Sequence, residues 1–206
     1  GATIQNLTLG GTSSVSGTRC VGSVVGTANN TNLNTLTSSA DVYSSQYYHD
    51  GYGGIVGCYE SNTNTPNYAI TDNTYSGSIA IGDGGGPFNR SGGIVGQFIS
   101  SGSSTVNIDG NSFSGNIINA SDYAGGVVGY LQTNGNSVVT ADSNAITGQI
   151  TNTYDLAGGL IGYFKTRDNS ALSVENNNFT TEAQINNTQY NVGGIVGGAE
   201  SDDSST

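Results

Sequence analysis

The sequence has few of the residues that favour helices or make a basic surface. Methionine and tryptophan are absent, and Glu and Leu are sparse, whereas glycine (33 residues), Asn, Ser, Thr, Val, Ile and Tyr are common. The only basic residues besides a single histidine are Arg19, Arg90, Lys165 and Arg167. Because this composition has low helix propensity and high strand and turn propensity, we expect almost no helix.

The scarcity of positive charge excludes two classes of partner. A chain with a formal net charge of −11 repels phosphate backbones and anionic lipid headgroups, so we predict no nucleic-acid partner. No run approaches the roughly 18 consecutive apolar residues of a membrane span, and no signal segment opens the chain, so we expect no direct membrane insertion. Since residue 1 falls inside a repeat, we interpret the sequence as a fragment of a longer surface protein or a filament subunit.

Residues for catalysis or transition-metal binding are also scarce. His49 is the only histidine, and no second histidine or cysteine stands at a metal-ligand spacing from it. One histidine beside Asp50 is poor support for a catalytic triad, although serines are abundant. We therefore predict that the protein is not an enzyme.

The most prominent feature that is present is a recurring pentapeptide, Gly-Gly-aliphatic-aliphatic-Gly. Its copies begin at Gly22 (with Ser23 in place of the second glycine), Gly53, Gly92, Gly125, Gly158 and Gly193. The starts are 31 to 39 residues apart, a period typical of stacked structural repeats. One repeat running almost end to end predicts a single domain, residues 1–206.

A second pattern precedes each pentapeptide. The pattern has four residues at alternate positions. They are, in order, Asn, an aromatic or aliphatic residue, a residue that is often glycine, and an aliphatic residue. Clear copies begin at Asn73, Asn111, Asn144 and Asn177, and Asn34, Leu36, Ser38 and Ala40 form a weaker copy. Residues of one parity lie on one side of a strand, and this side is apolar apart from the asparagine.

Each repeat therefore offers three short strands, which cannot bury their apolar side alone. Stacking successive repeats as parallel strands about 4.8 Å apart would create a common core. We predict an all-β fold, a parallel β-helix or β-solenoid of about six coils with three strands per coil, on the order of 30 Å long.

The two patterns together resemble the GLUG-motif repeats of bacterial and archaeal-type cell-surface proteins. The resemblance covers nearly the whole chain, and its most regular copy contains Ile108, Asn111, Phe113, Gly115 and Ile117, followed by the pentapeptide at Gly125. It implies a right-handed β-helix, an extracellular or cell-surface location, an adhesin-like or stalk role, and no catalytic residues. The first copy, with Ser23, and the last, with Thr181 and Ala183, depart from the pattern.

We accordingly expect a non-enzymatic, structural or adhesive module of a cell-surface adhesin, stalk or fibre. Its expected partners are further copies of itself, neighbouring domains of a longer chain, or host and surface glycans. One alternative is a carbohydrate-binding or carbohydrate-cleaving β-helix, in which acidic residues and Tyr43, Tyr47, Tyr48 and Tyr52 would line one groove. The other alternative is a self-assembling extracellular filament subunit.

A column of polar residues lies three positions before each pentapeptide. It contains Arg19, Asp50, Asn89, Asp122, Asp155 and Tyr190. Asp122 and Asp155 would stack about 5 Å apart, where like charges are unfavourable unless they are solvated or bridged by a cation. One hypothesis is a calcium site formed by Asp122, Asp155 and Asp50, and calcium is the only cofactor we consider. The other, which we favour, is that these side chains bond their own backbone at a turn.

Stacking also predicts roles for three further sets of residues. Asn73, Asn111, Asn144 and Asn177 would form an inward-facing structural ladder of hydrogen-bonded amides. Sequons for N-glycosylation occur at Asn6, Asn29, Asn89, Asn119, Asn178 and Asn186. The second aliphatic position of the pentapeptide holds Val25, Val56, Val95, Val128, Ile161 and Val196. These residues either form an apolar strip that packs on another chain, or are turned inward by a bend.

The two cysteines flank different copies of the pentapeptide. If the strand runs straight through the motif, Cys20 and Cys58 lie about seven residues, or roughly 20 Å, apart along the strand direction. This distance exceeds the reach of a disulfide, so we expect two free thiols.

Overall fold

A computed structural model describes the chain except for residues 45–49, 63, 65–66, 83–88, 121, 153, 188–189 and 203–206; the side chains of residues 119, 120, 152 and 187 are likewise left out. All regular elements of the described residues are β-strands, and they pair in parallel with their counterparts one coil away. The predicted fold class, an all-β parallel β-helix, is confirmed. Within these residues no helix is long and apolar enough to cross a membrane.

The strands form six coils. Coil 1 contains β1 (Ala2–Leu9), β2 (Ser14–Ser16), β3 (Val21–Gly22) and β4 (Val25–Asn29). Coil 2 contains β5 (Thr31–Ser38), β6 (Asp41–Ser44), β7 (Gly51–Gly53) and β8 (Val56–Ser61). Coil 3 contains β9 (Asn67–Thr71), β10 (Thr74–Tyr75), β11 (Ser78–Ile81), β12 (Arg90–Gly92) and β13 (Val95–Ser100).

The remaining three coils repeat the pattern of coil 3. Coil 4 contains β14 (Thr105–Asp109), β15 (Ser112–Phe113), β16 (Asn116–Ala120), β17 (Tyr123–Gly125) and β18 (Val128–Thr133). Coil 5 contains β19 (Val138–Asp142), β20 (Ala145–Ile146), β21 (Gln149–Asn152), β22 (Leu156–Gly158) and β23 (Ile161–Thr166). Coil 6 contains β24 (Ala171–Glu175), β25 (Asn178–Phe179), β26 (Gln184–Asn187), β27 (Val192–Gly193) and β28 (Val196–Ser201).

Each coil consists of the three predicted extended runs, and bends divide the second and third runs into shorter strands. Sheet A contains β24-β19-β14-β9-β5-β10-β15-β20-β25 with β1 beside β5, because β5 is long enough to pair with both β9 and β10. Sheets B, C and D each stack one strand from every coil, from β2 to β26, from β3 to β27 and from β4 to β28. The third run of each coil therefore contributes to both sheet C and sheet D.

Equivalent apolar residues lie directly above one another in the core. The first aliphatic residues of the pentapeptides are joined by backbone hydrogen bonds from Val24 to Ile55, Ile94, Val127, Leu160 and Ile195. The same stacking brings Tyr59 above Phe98, with ring centroids 5.2 Å apart, and Tyr75 above Phe113 at 6.3 Å. The interior residues of these columns are fully buried, which supplies the shared core that no coil could form alone.

The pentapeptide is a sharp bend rather than a straight strand. A Cβ atom on Gly51 would lie 2.1 Å from the carbonyl oxygen of Gly57, so a residue just before the motif contacts the last residue of the motif. The chain thus reverses between β7 and β8, and sheets C and D pack closely together. The reversal turns both aliphatic residues inward, and Val56 and Val95 are fully buried. The hypothesis that this column forms an exposed strip for another chain is therefore wrong, and the bend is confirmed.

Close backbone contacts explain the glycines of the motif. In coil 4, a Cβ atom on Gly125 would lie 2.0 Å from the oxygen of Val128, across the bend. A Cβ atom on Gly126 would lie 2.2 Å from the oxygen of Gly159 in the next coil. Real Cβ atoms do not approach other atoms this closely, so any side chain at these positions would force the coils apart.

Ser23 replaces the second glycine in coil 1 without a clash because its neighbour is also small. In later coils this glycine packs against a large side chain of the following coil, such as Tyr75 against Gly54. Ser38 occupies the equivalent of Tyr75, and the hydroxyl groups of Ser23 and Ser38 form a hydrogen bond of 2.7 Å. The departure of the first copy from the motif is thus matched by a second substitution nearby.

The strand register corrects one alignment of the sequence repeats. Tyr75 pairs with Ser38 and Ile79 pairs with Val42, so Leu36, not Asn34, occupies the position of Asn73. The weaker copy proposed to start at Asn34 is therefore displaced by two residues. This shift preserved the parity of the pattern, which is why the sequence alone did not reveal it.

Candidate functional site

The bend at each pentapeptide brings together two columns of side chains that are distant in sequence. One column lies two residues before the pentapeptide and includes Arg90 and Tyr123; the other lies five residues after its first glycine and includes Tyr130 and Tyr163. A residue of the first column faces the second-column residue of the following coil. We call this line of contacts the outer seam; its pairs are Cys20 with Cys58, Gly51 with Gln97, Arg90 with Tyr130, Tyr123 with Tyr163, and Leu156 with Gly198.

Cys20 and Cys58 form a disulfide at the first position of the outer seam. Their Cα atoms are 5.1 Å apart, and the bond links coil 1 to coil 2. The expectation of two free thiols is wrong, because it assumed a straight strand where the chain in fact reverses. Disulfides of this kind persist in oxidising compartments and are rare in the reducing cytosol.

Aromatic and cationic groups occupy the middle of the outer seam. The guanidinium carbon of Arg90 lies 4.2 Å from the centroid of the Tyr130 ring, a cation–π contact. The ring centroids of Tyr123 and Tyr163 are 5.1 Å apart, and Tyr130 lies 5.6 Å from Tyr123 and 5.8 Å from Tyr163. The cluster connects coils 3, 4 and 5 on the outside of the core.

Burial perturbs two charged groups beside this cluster. Desolvation lowers the pKa of Arg90, although the neighbouring Tyr130 and Tyr123 and the carboxylates of Asp50 and Asp122 oppose this effect. Asp122 is only 4% exposed, and burial together with repulsion from Asp155 raises its pKa to about 6, while Arg90 acts in the opposite direction. Arg90 thus supplies positive charge at a place where two carboxylates lie on neighbouring coils.

The three residues of the calcium hypothesis do not converge. Asp122 and Asp155 lie on adjacent coils, since the amide of Leu156 bonds the carbonyl of Asp122. Asp50 lies two coils from Asp122, where its carboxylate accepts a bond of 2.5 Å from Nε of Arg19.

Among the described residues, the only group of three metal-ligand types within 4.8 Å is Cys20, Asp50 and Cys58, and its sulfur atoms belong to the disulfide. Calcium takes six to eight oxygen ligands. Neither this group nor the three aspartates of the hypothesis, Asp50, Asp122 and Asp155, therefore fits a calcium site.

The four asparagines of the second sequence pattern form a continuous chain of hydrogen bonds. Nδ2 of Asn73 donates to Oδ1 of Asn111 (2.9 Å), Asn111 to Asn144 (3.0 Å), and Asn144 to Asn177 (2.9 Å). Each Oδ1 also accepts the backbone amide of the ladder residue in the preceding coil, and each Nδ2 donates to a backbone carbonyl there. At the first end, the amide of Leu36 donates to Asn73.

A tight turn places each asparagine of the ladder inside the solenoid. The residue before it adopts a left-handed conformation, with φ of 55° at Asp72, 66° at Gly110, 54° at Ser143 and 49° at Asn176. Asp, Asn and Gly tolerate this conformation better than most residues. These left-handed turns therefore direct the ladder side chains, and Asn73, Asn111 and Asn144 are fully buried.

The sequon asparagines differ in exposure. Asn6, Asn29, Asn178 and Asn186 are exposed. Asn89 has no exposed surface, so the prediction of a glycan there is wrong for the folded chain. The side chain of Asn119 lies outside the described part of the structure.

The tyrosines proposed to line a carbohydrate groove are not equivalent. Tyr43 is 45% exposed and borders a shallow cleft with Ser16, Gly17 and Thr18. Tyr52 is completely buried, and its hydroxyl donates to the carbonyl of Thr18, so it cannot line a groove. Tyr47, Tyr48 and His49 lie outside the described residues.

The two remaining basic residues form an ion-pair network between coils 5 and 6. Lys165 lies 2.5 Å from Glu200 and 2.7 Å from Asp202, and Arg167 lies 3.4 Å from Asp202. The hydroxyl of Tyr163 donates to Glu200, which joins this network to the outer seam. Hydrogen bonds to Asp202 and Glu200 raise the pKa of Lys165.

The sequence analysis missed the outer seam although its signal was present. The paired positions stand at constant offsets from the pentapeptide, and cysteine, arginine or tyrosine occupies six of them. Knowing that the chain reverses at the motif would have linked the position before one copy to the position after the next.

Comparison with protein-family models, curated proteins and solved structures finds no match.

Proposed function

We propose that the chain is a non-enzymatic, extracellular structural module that acts as a stiff spacer in a surface adhesin, stalk or fibre. The observation that carries this proposal is that two separate lines of contacts join successive coils, the asparagine ladder between coils 2 and 6 and the outer seam along all six coils. The Asn73–Asn177 ladder lies at one corner, and the outer seam lies at the pentapeptide bend.

These connections resist bending and stretching along the solenoid axis. Tilting one coil against the next would lengthen ladder bonds that have no water to replace them, because Asn111 and Asn144 are fully buried. At the outer seam the same motion would separate Tyr123 from Tyr163 and Arg90 from Tyr130. A module held in this way suits a role in which distance and orientation must be kept.

Three features support an extracellular location. The Cys20–Cys58 disulfide is typical of proteins outside the reducing cytosol. The chain is rich in Asn, Ser and Thr, and its negative charge favours solubility and hydration. The resemblance of the repeat to GLUG motifs agrees with the same location and role.

Single-molecule force spectroscopy tests the mechanical part of the proposal. The chain is held at residues in coils 1 and 6 and pulled, and the force needed to open it is compared with that of an Asn111→Ala variant. We expect the variant to open at lower force, with the break in the middle of the array. Opening of the unmodified chain at forces near those of an unstructured polymer would refute a structural role.

Separate measurements test the location and the absence of catalysis. Labelling of intact source cells with a membrane-impermeant reagent should modify the protein, whereas labelling only after lysis would contradict a surface location. A reducing-sugar assay on a panel of polysaccharides should show no product. Product formation that depends on an acidic residue such as Asp155 would instead favour a carbohydrate-cleaving β-helix.

A further inference from the structure

The outer surface of sheet B carries a regular strip of polar and apolar side chains. In β6, β11, β16 and β21 the residues alternate between the buried core and the surface, and outward residues of one strand lie beside those of the next. We call these outward residues the sheet B strip. One of its columns contains Ser78, Asn116 and Gln149, and the other contains Tyr43, Ala80, Ile118 and Thr151.

The sheet B strip is a lateral surface, because each of its four strands is paired on both sides. In the order of the sheet, β6 lies between β2 and β11, and β21 lies between β16 and β26. The residues between the outward positions, such as Val42 and Ile117, are fully buried, whereas Tyr43 is 45% and Ile118 39% exposed. An aromatic ring and an aliphatic side chain are thus held at the surface, where they offer apolar contact to a ligand.

The strip has almost no charge, although the chain is strongly acidic. Of the 15 acidic residues only Asp41 lies in these four strands, and none of the lysines and arginines does. Its carboxylate accepts the backbone amide of Ser78 at 2.9 Å, at the coil 2 end of the strip. The outer surface of sheet A, in contrast, carries Asp109, Asp142 and Glu175 in register. Since a net charge of −11 repels anions, the strip suits an uncharged ligand.

Side-chain amides supply hydrogen bonds in both directions along the strip. Asn116 and Gln149 lie side by side on adjacent coils, and both are exposed. Within the described part of the chain, neither amide group is occupied by a hydrogen bond to another residue. Each offers two N–H donors and a carbonyl acceptor, and a hydroxyl group both donates and accepts. A ligand rich in hydroxyl groups therefore matches these two residues.

We propose that the sheet B strip binds an uncharged, linear polysaccharide that lies along the solenoid axis. Tyr43 and Ile118 contact the C–H faces of its sugar rings. Asn116 and Gln149 exchange hydrogen bonds with its hydroxyl groups. Adjacent strands are about 4.8 Å apart and the outward residues of one strand about 6.6 Å apart, so the strip is narrow and long. This shape fits an extended chain better than a compact ligand.

The inference rests on the proposed role in a surface adhesin or stalk, and it names the class of ligand and the surface that binds it. The bound polysaccharide is not cut. Glycoside cleavage ordinarily uses a pair of carboxylates beside the scissile bond, and Asp41 is the only carboxylate in the strands of the strip.

Calorimetric titration of the whole chain tests the ligand class. The probes are unbranched hexasaccharides of glucose, galactose, mannose, xylose or N-acetylglucosamine, with a hexasaccharide of galacturonic acid as the charged counterpart. At least one neutral hexasaccharide should bind, and it should bind about tenfold or more tightly than the disaccharide of the same sugar, because contacts add up along the strip. The anionic hexasaccharide should bind more weakly.

Variants test the surface. Tyr43→Ala and Gln149→Ala should each weaken binding about tenfold, through loss of a ring contact and of hydrogen bonds. Ile118→Ala and Val138→Ala form a matched pair, since these side chains are 39% and 40% exposed but Val138 lies on the outer surface of sheet A. Ile118→Ala should weaken binding about threefold, and Val138→Ala should leave it unchanged. Thermal unfolding checks that every variant is folded.

Three results would overturn the proposal. They are the absence of binding to every neutral hexasaccharide, tighter binding of the galacturonic acid probe, and unchanged affinity in both Tyr43→Ala and Gln149→Ala. Equal weakening by Ile118→Ala and Val138→Ala would likewise place the ligand elsewhere. A chain that binds no glycan but still resists force would leave the structural role intact, whereas a chain that binds glycan but opens at low force would refute that role alone.

Discussion

At the scale of single residues, buried polar side chains decide how the coils fit together. Asn144 illustrates this, because its amide group completes hydrogen bonds with two neighbouring coils at once. Its Oδ1 accepts from the backbone and side chain of Asn111, and its Nδ2 donates to Asn177 and to the carbonyl of Ile108. Removing one such side chain leaves several buried groups without partners, and their desolvation then opposes folding.

Replacing Asn144 by Leu should lower the free energy of unfolding by about 1 to 3 kcal/mol. The side chains are similar in size, so the loss comes from unpaired amide and carbonyl groups rather than from a cavity. Asn34→Leu is the control, because Asn34 is only half-buried and accepts a single side-chain bond, from Thr71. Chemical denaturation measures both variants, and equal stability of the two would contradict the structural role of the ladder.

Asp122 should make the stability of the protein depend on pH. Its pKa of about 6 in the folded chain exceeds the ordinary value of 3.8, so between these values the folded state binds more protons than the unfolded state. The contribution of Asp122 to stability is therefore present below about pH 4 and is lost as the pH rises through 6. Asp122→Asn should stabilise the protein at pH 7 by about 1 to 3 kcal/mol and flatten this part of the pH profile.

Denaturation at a series of pH values tests this prediction. Asp155→Asn is the informative companion, because it removes the nearby negative charge and should shift the pH-dependent window of Asp122 to lower pH without abolishing it. A profile for Asp122→Asn that retains the slope of the unmodified protein between pH 4 and 6 would show that another group titrates there.

At the scale of elements, the pentapeptide bend is the device that shapes each coil. It needs glycine where backbone atoms of the same coil and of the next coil come too close for any side chain. Gly126→Ala should destabilise the protein by about 3 kcal/mol, because its Cβ atom would press on the carbonyl of Gly159 and on the side chain of Ile146. Gly10→Ala should change stability by less than about 0.5 kcal/mol, since nothing lies within 4 Å of the added Cβ atom.

Thermal unfolding compares the two glycine variants. The comparison tests why the motif recurs. If Gly126→Ala were as stable as Gly10→Ala, the coils could move apart to accommodate the methyl group without a loss in the free energy of unfolding. Close packing of the backbone at the bend would then not explain the glycines.

The sequence predicted the elements that depend on periodicity and failed where the chain changes direction. The recurrence of the pentapeptide predicted stacked coils, and Ile94, Val127 and Leu160 of successive copies do lie in one column. Periodicity does not show a reversal, and so the same analysis separated Cys20 from Cys58 by a straight strand. The bend depends on contacts between coils, such as Gly57 against the backbone of Cys20, which pair residues far apart in the chain.

Part of the candidate site was predictable for the same reason. The ladder from Asn73 to Asn177 follows from one residue type at one position of the repeat. The outer seam contains different residue types in each coil, and Arg90 faces Tyr130 where Tyr123 faces Tyr163 one coil later. Such pairs become recognisable only once the reversal of the chain is known.

At the scale of the whole molecule, each coil is stabilised by its neighbours, and the end coils therefore have the least support. The core residues of coil 6 show this directly, since Phe179 and Val174 are only half-buried, whereas Phe113 and Ile108 of coil 4 are fully buried. Coil 1 faces the same disadvantage. It differs in being covalently attached to coil 2 by the Cys20–Cys58 disulfide.

Reduction of the disulfide should therefore loosen coil 1 before it affects the middle of the array. The bond closes a loop with a sequence separation of 38, for which chain entropy predicts a stabilisation of up to about 4 kcal/mol. Hydrogen exchange after reduction and alkylation should accelerate in β3, β4, β7 and β8 and remain slow in β18, because contacts between adjacent coils carry stability along the solenoid. A Cys20→Ser/Cys58→Ser double variant should reproduce the effect. Acceleration spread evenly over all six coils would show that the molecule unfolds as one cooperative unit, and an unchanged exchange pattern would show that coil 1 is held by its strand pairing alone.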